Sequence, residues 1–517
     1  MRSFFKATLI VTIFSVLTRA LGFVLRIILS RNLGAEMLGA YQVSMSIMGV
    51  LMTIIASGIP LVVSRSVSYN KSINNQKEAN STISAGLVVT VGISCLISIL
   101  LYLFPNILNI ISPDKTTTKI VLFALPSLIF SAIYCILRSA LWGDKHFFAI
   151  SFTEFFEQVV RIFICFILFY TPVLSSLSLG EKASLSLSVA CLLSAILVVI
   201  IYFMLNQKLG SPKGAVKPLI KSSSSITTLR TVSSLVTSII SVLIPIRLMK
   251  FGYSQSEAMA QFGMVMGMAF PLIMIPGTLI GSVAVTLVPE ISSKTDNIDD
   301  ASRTHNIEGL KSNILTGLNV SILISMILMP AFMVLGEPIC EILFNSKEAG
   351  KYVSAGAILM LPLGINQITS SILNSIGLEL KSLINYALGA VCLILSIFFL
   401  PKYIGTYSLI VGFLAMSIIS ASLNIRMLKK RNLLKTGSLK FTIYSVAFAL
   451  FSALLGKLIY NLLIKIMSMI LSTVIVGIIS TLCLFLLYYC FNISFFRGFI
   501  ISKFKHNKKR KKQNVTA

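Results

Sequence analysis

Two arginines lie inside the first long apolar stretch of the chain, which runs from residue 9 to residue 29. Arg19 and Arg26 are seven residues apart, which is two helical turns, so their guanidiniums share one helix face with Ser15 and Gly22. Each charge at the centre of a bilayer costs about 2.5 to 3.5 kcal/mol. We therefore expect this face to line a polar cavity, where fixed cations would bind an anionic ligand.

A second charged group is predicted on the fifth apolar segment. Its members are spaced three or four residues apart and share one helix face: Glu154, Glu157, Gln158 and Arg161. This spacing allows an ion pair between the carboxylates and Arg161 within the helix. The sequence leaves two interpretations open, because such a pair either orients neighbouring helices or belongs to the cavity. The same carboxylates are alternative partners for the two arginines of the first helix.

A faint internal repeat relates the first half of the chain to the second. An arginine is followed ten residues later by a glutamate, and five residues after that by an aromatic residue. The residues in register are Arg26, Glu36 and Tyr41 in the first copy and Arg247, Glu257 and Phe262 in the second. A parallel duplication would give this pattern at the first helix of each half. Arg247 is therefore a candidate third cation of the cavity.

Polar amides within predicted helices are candidates for contacts with a sugar. Gln42 lies on the second helix, and three more lie on the tenth: Asn366, Gln367 and Asn374. Amides hydrogen-bond sugar hydroxyls, but they also join membrane helices to one another, and the sequence favours neither interpretation. Lys457 lies near a helix end, where its long side chain can reach the interface, and is not assigned to the cavity.

Prolines inside predicted helices are candidate hinges. Pro60, Pro245 and Pro276 each remove a backbone donor and can kink the helix that contains them. Ordinary helix packing explains them equally well, since proline is common in membrane helices.

The composition is that of a polytopic membrane protein. Hydrophobic residues make up 56% of the 517 residues, charged residues only 12%, and the mean hydropathy is +0.91. This leaves too little polar surface for a soluble globule. The net charge of +27 resides in short loops and in the tail, which indicates cytoplasmic loops rather than a nucleic-acid partner.

The fold predicted from these patterns is all-α, with about fourteen transmembrane helices. Both termini are placed in the cytoplasm of the cell because the basic residues concentrate on that side. The predicted helices span residues 7–29, 38–63, 81–104, 119–141, 150–171, 183–205, 229–250, 262–288, 313–336, 353–376, 382–400, 405–425, 441–461 and 466–492.

The richest cluster of glycine, proline and serine in the chain is predicted to be a cytoplasmic linker, residues 206–228. It separates an N-terminal six-helix lobe, residues 1–205, from a C-terminal six-helix lobe, residues 229–427. Two additional transmembrane helices follow within residues 428–495. Residues 496–517 form a basic cytoplasmic tail.

Several absences in the sequence favour a transporter over an enzyme. The eight cysteines show no CxxC pair, and the three histidines, His146, His305 and His506, are far apart, so we expect no metal site. No Walker-type phosphate loop is present, and no carboxylate pair sits among metal-binding neighbours in a loop. We expect no catalytic residue and no cofactor.

Several short motifs resemble those of a known family. The chain is similar to the polysaccharide flippases of the multidrug/oligosaccharidyl-lipid/polysaccharide exporter superfamily. The motifs that carry the resemblance are Thr18-Arg19-Ala20-Leu21-Gly22-Phe23, Ser30-Arg31-Asn32-Leu33-Gly34-Ala35, Ser57-Gly58-Ile59-Pro60 and, at the end of the eighth helix, Val288-Pro289-Glu290-Ile291-Ser292.

The resemblance implies two six-helix lobes around a central cavity, two extra helices, and transport of an undecaprenyl-diphosphate-linked saccharide by alternating access. The related lipid II flippases use cavity arginines on helices one, two and eight. Arg19 matches the first of these, and Arg26 is displaced by one position from the second. Helices two and eight carry no counterpart. Arg19, Arg26 and Arg247 are together the expected diphosphate-binding set.

The function expected from the resemblance is a flippase for a lipid II-like peptidoglycan precursor, in spore cortex synthesis. Its partners would be the lipid-linked saccharide, membrane lipids and, as a candidate, the peptidoglycan synthesis machinery. Three alternatives stay open: export of teichoic acid or capsule units, cation-coupled drug export using Glu154 or Glu157, and a non-transporting membrane scaffold for wall synthesis. Only the last would have no need of the arginine face.

Overall fold

The computed structural model describes residues 2–296, 303–434 and 438–491. Within these ranges the chain is helical and contains no strand, which confirms the all-α prediction. The described helices divide into two compact units, the first ending at Gly267 and the second beginning at Met268.

The first unit contains ten α-helices. They are α1 (Arg2–Ala56), α2 (Ile59–Ser72), α3 (Gln76–Leu103), α4 (Asn106–Ile111), α5 (Lys115–Ala124), α6 (Pro126–Gly143), α7 (Phe147–Tyr170), α8 (Leu179–Met204), α9 (Val216–Lys250) and α10 (Gln255–Phe262).

A π-helical segment, Gly263–Ala269, follows α10. The helices after it are α11 (Phe270–Ile273), α12 (Ile275–Asp296), α13 (Arg303–Phe344), α14 (Lys347–Gly356), α15 (Met360–Ser375), α16 (Glu379–Phe399), α17 (Pro401–Ile404), α18 (Tyr407–Lys430), α19 (Ser438–Leu463) and α20 (Met469–Cys490). The Val288–Ser292 motif thus lies inside α12, which continues beyond the predicted helix end.

The described helices are consistent with fourteen membrane crossings. Eleven are long and apolar enough to cross a bilayer, or twelve if α10 to α12 form one bent span. Helix α7 is not among them, because its middle carries three charged residues. The stretch counted first, residues 10–72, contains a break at Gly34 (φ 71°, ψ 174°), a backbone conformation that favours glycine. The basic tail, residues 496–517, lies outside the described residues.

Helix α9 begins earlier than the sequence predicts, because residues 216–228 of the predicted linker are helical. The serine run is compatible with this helix, because the hydroxyls of Ser222, Ser223 and Ser224 each donate to a backbone carbonyl three or four residues earlier. A serine that bonds back to its own helix does not break it. The division into lobes on either side of residues 206–228 stays a prediction.

The three candidate hinge prolines occupy different settings. Pro60 lies in the first turn of α2, just after the bend at Ser57 and Gly58, and Pro245 lies inside α9. Pro276 follows a bend of 44° between α11 and α12. Their role as hinges stays a prediction.

The two copies of the internal repeat pack against each other in the first unit. A Cβ atom on Gly39 of α1 would lie 2.0 Å from the carbonyl oxygen of Met259 in α10, and one on Gly263 would lie 2.1 Å from that of Ala35. The Ser256 hydroxyl donates to the Glu36 carboxylate at 2.6 Å. The second half of α1 and α10 therefore approach at backbone contact, which only glycine permits.

Candidate functional site

A cavity of about 340 Å³ lies between α1, α6 and α7 of the first unit. Its lining is almost entirely polar and charged. The lining residues are Ser15, Thr18, Arg19, Tyr134, Glu154, Glu157 and Gln158. The cavity therefore unites the arginine face of the first helix with the charged face of the fifth predicted helix.

The helix side that carries Ser15, Arg19, Gly22 and Arg26 lies against α7 along its length. Ser15 and Arg19 line the cavity, and a Cβ on Gly22 would lie 3.9 Å from the Gln158 amide oxygen. Arg26 interacts electrostatically with Arg161 of α7. Directly beside the cavity, the Phe14 ring meets the rings of Phe148 and Phe155 of α7 edge to face. Apolar packing thus fixes the two helices together at one end of the polar face.

Glu154 forms an ion pair with Arg138 of α6. An ion pair within α7 between the carboxylates and Arg161, which the spacing allows, is not among the described ion pairs, although Glu157 interacts with Arg161 electrostatically. Arg138 approaches from the neighbouring helix, and the Arg161 side chain has a different partner. The sequence reasoning missed Arg138, although an arginine three residues from the end of the predicted helix 119–141 was a detectable signal.

A second group of polar residues lies further along the same two helices. The Arg161 guanidinium donates a hydrogen bond of 2.6 Å to the Tyr41 hydroxyl. Arg26 lies close enough to both to interact with them electrostatically. Seven residues separate Glu154 from Arg161, as they separate Arg19 from Arg26, so this group lies about 10 Å along the helix axes from the cavity.

The two groups together carry an excess of positive charge. Four guanidiniums stand against two carboxylates, which leaves a formal excess of two positive charges. Those residues are Arg19, Arg26, Arg138, Arg161, Glu154 and Glu157. Pairing with the carboxylates of α7 therefore cannot neutralise every arginine, and the arrangement suits an anion with two charges.

Arg247 does not line this cavity. It is 8% exposed, and its guanidinium carbon lies 5.0 Å from the centre of the ring of Phe251, the residue directly after α9. A cation over an aromatic face is stabilised by the ring quadrupole. Gln42 is half-buried on α1 and also lies outside the lining.

The amides of the tenth predicted helix lie on α15 of the second unit. Asn366 accepts a hydrogen bond of 3.4 Å from Asn424 of α18, which in turn accepts one of 2.8 Å from Asn385 of α16. Gln367 lies against the backbone of α12, and Asn374 is exposed. Asn366 thus joins helices, which was the alternative to sugar binding.

A comparison with protein families identifies the family of this chain. The family model described as polysaccharide biosynthesis protein matches residues 4–294, more than half of the chain. The chain belongs to this family. The matched region includes all of the cavity and both charged groups.

A curated relative extends the family match. Stage V sporulation protein B of Bacillus subtilis (strain 168) is 23% identical over 404 residues, covering 75% of this chain and 76% of that protein. The sequence motifs resemble this protein as well as the exporter superfamily. The recognition from sequence is confirmed.

Solved structures share the fold. One is lipid II flippase MurJ in an inward closed conformation, with a TM-score of 0.68 and 15% identity, covering 93% of this chain and 99% of that one. Another is an inward-facing multidrug resistance MATE family transporter of the MOP superfamily, with a TM-score of 0.65 and 13% identity, covering 80% and 94%. The fold is that of the MOP superfamily, and the chain is a multi-pass membrane protein.

Proposed function

We propose that this protein is a flippase that moves a lipid-linked saccharide diphosphate across the cytoplasmic membrane by alternating access. The observation that carries the proposal is the polar cavity that Arg19 lines, next to a second group that holds an excess of positive charge, in a helix bundle otherwise apolar enough to span a membrane. The names of its relatives support it, since they include a lipid II flippase and transporters, none of them an enzyme.

The diphosphate would be held by guanidiniums. Arginine donates paired, charge-assisted hydrogen bonds that match phosphate oxygens. Arg19 and Arg26 are the primary residues of this proposal, and Arg247 is its third cation. The isoprenoid tail stays in the lipid, while the sugar needs hydroxyl and amide partners such as Ser15 and Gln158 of the cavity lining.

The membrane potential would favour outward movement. A diphosphate carries two negative charges, and each charge that crosses the full field gains about 2.3 kcal/mol per 100 mV. With both termini in the cytoplasm, the loops richest in lysine and arginine face the negative interior, as the positive-inside rule requires.

The finer proposal for the substrate is a lipid II-like peptidoglycan precursor used for spore cortex. What supports it is the likeness to stage V sporulation protein B, together with the shared fold of the lipid II flippase. Teichoic acid or capsule units are the alternative within the same class. The peptidoglycan synthesis machinery is the partner that this substrate implies.

Reconstitution of the purified protein tests the proposal. In liposomes with an imposed potential, we expect wild-type protein to deliver undecaprenyl-diphosphate-linked saccharides to the opposite leaflet, while a neutral isoprenoid glycolipid stays behind. Varying the attached saccharide separates a peptidoglycan precursor from a teichoic acid or capsule unit. Absence of delivery of every diphosphate lipid would exclude the flippase, and efflux of a cationic dye instead would favour the drug exporter.

The ion pair of Arg138 gives a prediction about binding. Arg138→Gln leaves Glu154 without its partner, so the carboxylate competes for Arg19 in the same cavity. We expect affinity for a lipid-linked diphosphate to fall by about 1 kcal/mol, or roughly fivefold, since both side chains are about one third exposed. Equilibrium binding to the purified protein measures this effect.

The matched variants separate charge from packing. Glu154→Gln should keep the wild-type affinity, and the double variant Arg138→Gln with Glu154→Gln should regain it, because both variants remove the competing carboxylate. A double variant as weak as Arg138→Gln alone would mean that Arg138 acts by direct contact or by packing, and not by occupying Glu154.

A further inference from the structure

Arg26 and Arg161 form a pair of like charges in the membrane-spanning part of the first unit. They interact electrostatically with each other and with Tyr41. Neither arginine forms an ion pair within 4.0 Å among the described residues. The Nε atom of Arg161 is buried and has no hydrogen-bond partner in that part of the chain.

Such an arrangement is costly in a membrane unless an anion joins it. Two adjacent guanidiniums repel each other, and low polarity strengthens the repulsion. The Tyr41 hydroxyl accepts a hydrogen bond from Arg161, but it brings no negative charge. Glu157, one turn before Arg161 on α7, is the nearest acidic neighbour, and it also interacts with Arg138.

Negative and positive charges are distributed unevenly between the cavity group and the second group. The cavity group contains Arg19 and Arg138 together with both carboxylates, so its formal charge is balanced. Glu157 also interacts with Arg161, and the second group, about 10 Å further along α1 and α7, keeps an excess of positive charge. The two helices run side by side in the same direction, since residues further along α1 meet residues further along α7.

We infer that Arg26, Arg161 and Tyr41 form a second anion-binding position, which receives the diphosphate group after it leaves the cavity of Arg19. This inference rests on the proposed function. Two guanidiniums and a hydroxyl supply enough donors for a diphosphate with two charges. The balanced cavity admits the headgroup, and the positively charged position then draws the diphosphate further along α1, away from its N-terminal end.

Loss of a position used during transport should lower the rate of delivery, whereas loss of a position used for capture should lower the binding affinity. Arg161→Gln should leave binding of the lipid-linked diphosphate within about threefold of wild type, while the rate of delivery to the opposite leaflet falls about tenfold or more, the effect of one charge-assisted hydrogen bond. Arg161→Lys keeps the charge and should restore part of the rate. Arg19→Gln should reduce binding itself.

Binding of inorganic pyrophosphate to the purified protein tests the position without transport. Pyrophosphate should raise the unfolding temperature of wild-type protein, and the rise should shrink in Arg161→Gln and in Arg26→Gln. Tyr41→Phe keeps both charges and should reduce the rise less than either arginine variant. Lys457→Gln is the matched control, because it removes one positive charge from an exposed position on α19, and the full rise should remain. If Arg161→Gln does not fold, Arg26→Gln carries the test, since Arg26 is exposed and its loss leaves no buried gap.

The outcomes separate the two proposals. Delivery at the wild-type rate by folded Arg161→Gln and Arg26→Gln would overturn the second position. So would an equal loss of binding and delivery that matches Arg19→Gln, because a single site would then explain all three variants. If wild-type protein delivers no diphosphate lipid but pyrophosphate protects it through Arg161, the flippase proposal fails and the anion position stands.

Discussion

Arg19→Gln is expected to lower the affinity for a lipid-linked diphosphate about tenfold to a hundredfold and to reduce delivery to the opposite leaflet accordingly. The physical reason is the loss of a charge-assisted hydrogen bond, worth about 1.5 to 3 kcal/mol. Arg19 is also the predicted arginine that lines the described cavity. Its loss turns the balanced charge of that cavity negative, and a diphosphate would then be repelled by the carboxylates of α7.

The measurement is equilibrium binding of the lipid-linked diphosphate, followed by the leaflet assay in liposomes. Lys457→Gln is the matched control, because it removes one positive charge from an exposed position on α19, outside the first unit. Its binding and delivery should equal those of the wild type. Wild-type affinity in a folded Arg19→Gln protein would remove the arginine from the proposed mechanism.

Gly39→Ala is expected to destabilise the first unit by about 1 to 3 kcal/mol or more, the usual range for overpacking. The new Cβ would lie 2.0 Å from the carbonyl oxygen and 2.9 Å from the carbonyl carbon of Met259. Both are backbone atoms, so no side-chain rotation relieves the clash. The second half of α1 would have to separate from α10, which also strains the hydrogen bond between Ser256 and Glu36.

The unfolding temperature in detergent measures this effect, and the same helix offers a control. A Cβ on Gly49 would meet no atom within 4 Å. Gly49→Ala should therefore leave stability unchanged or raise it by about 0.5 to 1 kcal/mol, because alanine favours the helix. Equal unfolding temperatures for the two variants would show that the helices do not cross at backbone contact.

The face of the first helix was predictable because a helix has a fixed period. Arg19 and Arg26, seven residues apart, had to share a side, and their charge had to avoid lipid. The helical period alone does not determine which helices pack against that side. In the structure α6 and α7 cover it, and a partner that the sequence reasoning passed over, Arg138, takes the Glu154 carboxylate.

Local spacing did not reveal the partners that come from other helices. Glu154 and Arg161 share a face of α7 with Glu157, which interacts with Arg161 electrostatically, yet Glu154 also pairs with Arg138 of α6 and Arg161 bonds to Tyr41 of α1. Pairs spaced within a helix contribute only about 0.2 to 0.5 kcal/mol, so contacts from neighbouring helices readily replace them. The serine run of α9 shows the same limit, since residues typical of a linker became helical.

The sequence alone determined the membrane class, the all-α fold and the presence of charge within the apolar helices, because hydropathy and helical period are local properties. Only the tertiary structure decided how those charges are shared. It balanced the cavity of Arg19 with the carboxylates of α7 and left Arg26 and Arg161 together. Charge balance depends on which helices are neighbours, and residue spacing within one helix does not contain that information.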